Sequence, residues 1–154
     1  MVSSDSLPRP EDCNCLAVRQ AARHVTQFYD RLLAPAGLRT TQFSILARLK
    51  RLGPMTINAL ADDMVMDRTT LGRNILPLER EGLIAVAAGK SDRRSKELRL
   101  TEAGAARLRL ALKRWAGAQA KFEAAFGRKR APELRALLQA VAATDLGTDD
   151  RESK

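Results

Sequence analysis

Residues 56–100 leave little freedom of architecture, because local start and stop signals cut them into pieces too short to bury a core alone. Thr56 precedes "INALADDM" and Asp67 precedes "RTTLGRNILPLEREG", and each offers a side-chain oxygen suited to cap the first free amides of a helix. Two short helices are therefore predicted to meet near Val65 and Met66, and Gly82 supplies the left-handed residue that ends the second. Beyond it, "LIAVAA" has the apolar, β-branched look of a short strand and "ELRL" alternates polar and apolar. The stretch between them becomes the tip of a β-hairpin. From Ala88 to Leu100 it carries Lys90, Arg93, Arg94, Lys96 and Arg99 against only Asp92 and Glu97.

Longer helices flank this unit. Starting from Asp12 as an N-cap, Val18, Ala22, Val25, Tyr29, Leu32 and Leu33 recur at steps of three and four, the period of a helix with one buried face, until Pro35 and Gly37 stop it. "TTQFSILARLKRLG" gives a second helix with Phe43, Leu46 and Leu49 inward, closed by Gly53 and Pro54. Thr101 is a further N-cap, after which Leu108, Leu112, Trp115, Phe122 and Phe126, then Leu134, Leu137, Leu138 and Val141, keep helical spacing.

Composition limits what such a chain can do. Its 154 residues are one domain's worth, and 45% apolar content excludes disorder of the whole. A net charge of +9 suits a polyanionic partner, either nucleic acid or an anionic membrane surface. The cations concentrate on a hairpin rather than along an amphipathic helix, which disfavours the membrane. No apolar run is long enough to span a bilayer and "MVSSDSLPRP" lacks the pattern of a secretory leader, so the expected location is the cytoplasm. Cys13 and Cys15 are too close in sequence for an unstrained bridge, so no disulfide framework is implied.

The second short helix turns Leu71, Ile75 and Leu78 inward, leaving Arg68, Thr69, Thr70, Arg73 and Asn74 toward solvent near its N-terminal end. Arginine can bond guanine bidentately, asparagine can bond adenine, and threonine can meet a phosphate or a thymine methyl. A solvated helical face is the alternative. A cationic hairpin directly after such a helix is a wing, whose Lys90, Arg93 and Arg94 can follow phosphates or enter a narrow minor groove; a mobile charged loop is the alternative there. Asp92 is expected to pair with the Arg94 guanidinium and pre-set its geometry. Pro77 removes a helical amide and is expected to kink the helix past its reading residues.

The run Thr56, Leu60, Ala61, Asp67, Thr69, Thr70, Leu71, Leu78, Glu79, Gly82, Leu83, Ile84, followed by "SDRRSKELRLTEAG" with its D-x-R and L-T-x-x-G elements, resembles the MarR family of bacterial transcription regulators. The resemblance covers roughly residues 40–104 at motif level. It implies a mainly α fold with a small β-hairpin wing, a winged helix-turn-helix within a helical homodimer, that binds a pseudo-palindromic operator on double-stranded DNA and usually represses. On that plan residues 12–144 form one domain, with a DNA-binding lobe at about 40–100, dimerisation helices at about 12–35 and 101–144, and flexible tails at 1–11 and 145–154. The apolar stripes of the outer helices exceed the needs of one small lobe, which points to a partner chain, a purely intramolecular core being the alternative.

The resemblance also implies a small, often aromatic or anionic effector between the dimer helices and the DNA-binding lobes, with Arg23, His24, Phe28 and Phe43 as candidate lining residues. Cys15 and Tyr29 are placed like the peroxide-reactive cysteine and a supporting tyrosine of the family's organic-hydroperoxide-sensing branch, but Thr40 stands where that branch's other tyrosine is expected. An inert cysteine is the alternative. No zinc-like ligand set, phosphate-binding glycine loop or nucleophile elbow occurs, so neither metal, cofactor nor enzymatic activity is expected. The rival reading of the basic charge is an architectural nucleic-acid-binding protein without sequence choice.

Overall fold

The computed structural model describes residues 7–90 and 92–147. Of the tails expected at 1–11 and 145–154, residues 1–6 and 148–154 lie outside the described residues. Helix α1 spans Asn14–Leu33, and its start corrects the sequence reading. Pro10 opens a 3-10 turn over Pro10–Asp12, which leaves Asp12 paired with Arg9 at 3.5 Å instead of capping the helix. The extended residue before α1 is Cys13, whose Sγ accepts from the Leu16 amide at 3.4 Å.

Pro35 falls in a second 3-10 turn, Ala34–Ala36, and Gly37 at φ 71° swings the chain into α2, Thr40–Leu52. One oxygen of Asp30 accepts from both the amide and the hydroxyl of Thr40, each at 2.7 Å, so the end of α1 caps the start of α2. Met55–Thr56 form β1, a strand too short to leave a periodic signal. Thr56 then caps α3, Ile57–Asp63, by accepting from the Ala59 amide at 3.1 Å. A turn containing Val65 at φ 51° leads to Asp67, which caps α4, Arg68–Arg80; the helix continues through Pro77. Strands β2, Ile84–Ala88, and β3, Lys96–Leu100, pair antiparallel with Ile84 opposite Leu100 and Ala88 opposite Lys96. Strand β1 lies on the other edge of β3, Met55 opposite Leu98, so the wing is a three-stranded sheet in the order β1-β3-β2 where the sequence suggested a hairpin alone.

Long helices α5, Glu102–Phe126, and α6, Arg130–Ala143, complete the chain. The core gathers under the helix-turn-helix. Leu46, Leu49, Leu60, Leu71, Leu78, Ile84 and Leu98 are each exposed by 2% or less, and the stripe Leu71, Ile75, Leu78 is buried as its spacing predicts. The outer helices differ. Leu33 is the only buried residue of α1 and Ala131 that of α6, so the apolar stripes read from the sequence are largely uncovered within one chain.

One joint fixes the recognition helix, the wing and α5 to one another. The Thr101 hydroxyl donates to the Gly82 carbonyl at 2.6 Å and accepts from the Gly104 amide at 3.0 Å, while the Thr101 amide donates to the Leu83 carbonyl at 3.2 Å. A Cβ at Gly104 would stand 2.0 Å from that Leu83 carbonyl oxygen, which explains the threonine and the glycine of the L-T-x-x-G element. Glycine-to-alanine changes inside helices ordinarily stabilise by about 1 kcal/mol. Overpacking against backbone reverses the sign here: Gly104→Ala is expected to cost about 3 kcal/mol, read as a lowered urea midpoint at unchanged slope.

Candidate nucleic-acid interface

The tip of α4 is organised by its cap. Asp67 accepts from the Thr70 amide at 2.8 Å through one oxygen and from the Thr70 hydroxyl at 2.6 Å through the other. The Thr70 hydroxyl, then its amide, hold the Asp67 carboxyl below the usual carboxylate range, helped by the Thr69 amide and by the charge of Arg73 against a small opposing burial effect. With its proton committed to Asp67, Thr70 can offer an incoming group only its lone pairs and its methyl. Asn74 is more withdrawn than the sequence suggested: its amide folds back to the Thr70 carbonyl at 2.9 Å and the side chain is half-buried. Arg68, Thr69 and Arg73 are exposed, and helical spacing places Thr69, Gly72, Arg73 and Leu76 along the outward face. The sequence reading passed over Gly72, although it stands among the reading residues; nothing lies within 4 Å of where its Cβ would be, so no internal contact requires a glycine there.

The wing tip is held by local hydrogen bonds. Gly89 donates to the Ser95 carbonyl at 2.8 Å, and a Cβ on Gly89 would meet Ser95 Oγ at 2.7 Å and the Asp92 carbonyl at 2.9 Å. Asp92 does not pair with the Arg94 guanidinium. Its Oδ1 accepts from the Arg94 backbone amide at 2.9 Å, an Asx turn that needs far less ordering than folding back a long arginine side chain. Lys90, Arg93 and Arg94 are exposed, and Arg94 has no carboxylate within ion-pair distance among the described residues.

Helix tip and wing meet across a cleft of about 490 Å³ walled by Thr56 and Asn58 at the start of α3, Arg68 of α4, and Asp92, Arg94 and Lys96 of the wing. Arg68 and Arg94, read separately from the sequence, thus share one concavity. Asn58 and Lys96 were missed, since neither stands in a pattern that singles it out.

The effector candidates do not converge. Arg23 and His24 are exposed, Phe28 is half-buried, and Phe43 belongs to the core, stacked on Trp115 at 5.9 Å between ring centroids. None of the four lines a cavity found among the described residues. Helical periodicity gave their approximate neighbourhood but not the rotation of each helix, which turns Phe43 inward and the α1 pair outward. The largest apolar recess among the described residues, about 540 Å³, lies instead between α1, the end of α5 and α6, with Val25, Tyr29, Phe122, Leu134 and Leu138 in its walls. There the Tyr29 hydroxyl donates to Gln119, and burial, then the nearby Glu123 carboxylate, raise its pKa against the opposing charge of Arg135. Cys15 is exposed and lies fourteen positions from Tyr29 on the same helix, about 21 Å along its axis at 1.5 Å per residue, so one chain does not bring the two together. Among the described residues no cluster of His, Cys, Asp and Glu could hold a metal ion, and no helix is long and apolar enough to cross a membrane.

Comparison with known proteins places this geometry. Residues 38–96, from the approach to α2 through the first residue of β3, match the MarR family. An uncharacterized HTH-type transcriptional regulator of Bacillus subtilis strain 168, YwoH, is 32% identical over 85 residues, which is 55% of this chain and 61% of the length of that regulator. MosR of M. tuberculosis, solved in complex with DNA, is 40% identical over 86% of this chain and 98% of its own, with a TM-score of 0.73. CouR of Rhodococcus jostii RHA1, solved on a 23-mer DNA duplex, is 27% identical over 86% of this chain and 94% of its own, with a TM-score of 0.77. With the helix-turn-helix, the wing and the joint behind them all accounted for, the chain belongs to the MarR family.

Proposed function

We propose that this protein is a sequence-specific DNA-binding transcriptional regulator, a homodimeric repressor that occupies a pseudo-palindromic operator and is released by a small effector. The observation that carries the reading is the shared cleft: Arg68 at the tip of α4 and Arg94 of the wing flank one concavity, so one lobe can engage a major groove and the neighbouring minor groove together. The solved DNA complexes of MosR and CouR support the same use of the fold. Release by a small molecule is the family's habit, and the recess beside Tyr29 is the apolar space this chain offers for it.

The dimer follows from uncovered apolar surface. Leu137, Leu138 and Val141 of α6 are 67%, 45% and 52% exposed, and Leu16 and Val18 of α1 are exposed as well. Full burial of such a side chain stabilises by about 1.5–3 kcal/mol, so a second copy covering both helices gains what one chain leaves unused. Two-fold pairing then sets two recognition helices about 34–36 Å apart for successive major grooves. Sedimentation at micromolar concentration is expected to give a dimer, and Leu137→Glu to give monomer with weakened operator binding; a monomeric wild type would remove the dimer.

Base reading and backbone grip separate by substitution. Arg73→Ala is expected to cost about 1–3 kcal/mol on a duplex selected from genomic fragments and little on random sequence. Arg94→Ala should weaken both and lower the salt slope by roughly 1. Equal affinity of the wild type for selected and random duplexes would instead favour the architectural reading. Gly72→Ala tests the approach of DNA to α4 with opposite signs: it should stabilise the fold by up to about 1 kcal/mol, because nothing inside the protein meets the added methyl, yet lower duplex affinity.

A further inference from the structure

We propose that the cleft between α3, the tip of α4 and the wing seats a phosphodiester of the DNA backbone, held by Arg68, Lys96, Asn58 and Thr56. This rests on the DNA-binding reading and adds to it a site and three residues. In any duplex a single backbone strand separates a major groove from the adjacent minor groove. If α4 lies in one and the wing in the other, that strand has to pass through the space between them, and the cleft is that space.

Its chemistry agrees. Arg68, Arg94 and Lys96 converge on it, and none has an ion-pair partner among the described residues, whereas Arg48, Arg99 and Arg107 each have one. The carboxylate in the wall, Asp92, gives one oxygen to the Arg94 amide. Thr56 Oγ1 accepts from the Ala59 amide, which leaves its hydroxyl proton to donate outward, and the Asn58 side chain is exposed with an amide to offer. The wall therefore presents mainly donors. A base edge displays donors and acceptors together, while a phosphodiester only accepts and carries the compensating charge. Lys96 opens β3 at the root of the wing, opposite Ala88, and is placed by the sheet rather than by the loop at the tip.

The test uses the full chain and short duplexes, one selected from genomic fragments and one random. Lys96→Gln is expected to reduce the slope of log affinity against log salt by about 0.9 on both, the value of one phosphate contact, while Lys121→Gln on α5 leaves it at wild type. Asn58→Asp, which puts a second carboxylate in the seat, should weaken both duplexes about tenfold at unchanged melting temperature. An unchanged slope for Lys96→Gln, or a loss confined to the selected duplex, would overturn the seat while the salt-dependent binding of the wild type still upholds the regulator. A wild type without salt-dependent duplex affinity would sink both readings. Inorganic phosphate at constant ionic strength separates the two sources of the ligand: no saturable shift of the Asn58 side-chain amide resonance is expected, and saturation would mark a small-anion site and overturn the backbone assignment.

Discussion

The meeting of Thr101 and Gly104 with the Gly82–Leu83 backbone is the contact on which the rest of the molecule depends. At this point the recognition helix ends, the first strand of the wing begins, the last one ends, and α5 starts. Three hydrogen bonds and one approach that only glycine permits hold the four together. The relative placement of helix tip and wing is therefore decided by neutral backbone chemistry in the core, not by the charged side chains at the surface. That is why Arg68, Arg94 and Lys96 can stand around one cleft without carboxylates to position them. A surface ion pair on the same joint, Arg107 with Glu81 at 3.3 Å, adds little energy in solvent, but Arg107 also presses on Gly37, where its guanidinium would lie 2.9 Å from an added Cβ. The joint is thereby linked to the turn between α1 and α2.

What could be read from the chain alone was what local chemistry decides. Thr56, Asp67 and Thr101 cap helices because a short side-chain oxygen reaches an amide two or three residues on, and Gly82 ends α4 at φ 72° because that backbone is free only to glycine. The same local logic misplaced two acids. At Asp12 a preceding proline-led turn took over the cap, which fell to Cys13; at Asp92 a backbone amide two residues away outcompeted the guanidinium of Arg94. Features that require two distant segments had no signal. Strand β1 exists only because β3 offers it an edge, and Asn58 and Lys96 acquire meaning only when the sheet sets them on one cleft. The candidate lining at Phe28 and Phe43 failed for a related reason, since periodicity fixes which residues share a face but not which neighbour that face meets.

The charge of the chain also divides by task. A +9 balance by itself fits any polyanion. Sequence choice needs side chains able to tell base edges apart, and the outward face of α4 offers them sparingly: Arg73 as a forked donor, Thr70 as a methyl with an acceptor, and Gly72 as an absence of bulk. The cleft and the wing supply the complementary, sequence-blind grip. Fixing the duplex by its backbone first lets so few reading groups meet their bases in register.

The uncovered faces of α1 and α6 are the other half of this arrangement. Phosphate contacts from a single lobe are lost steeply as salt rises, and doubling the grip through a two-fold partner restores affinity only if both lobes hold the spacing of the grooves. Helix α5 sets that spacing, because its 25 residues run unbroken from the joint at Thr101 to the apolar region at Phe122 and Phe126, a span of about 37 Å at 1.5 Å per residue. A rotation where α5 and α6 meet a partner is carried by this rod to the joint, and from there to helix tip and wing together. A ligand that prefers a different packing of the outer helices need not touch any DNA-facing residue to release the operator. It needs only a differential affinity for two spacings of the same rigid grip.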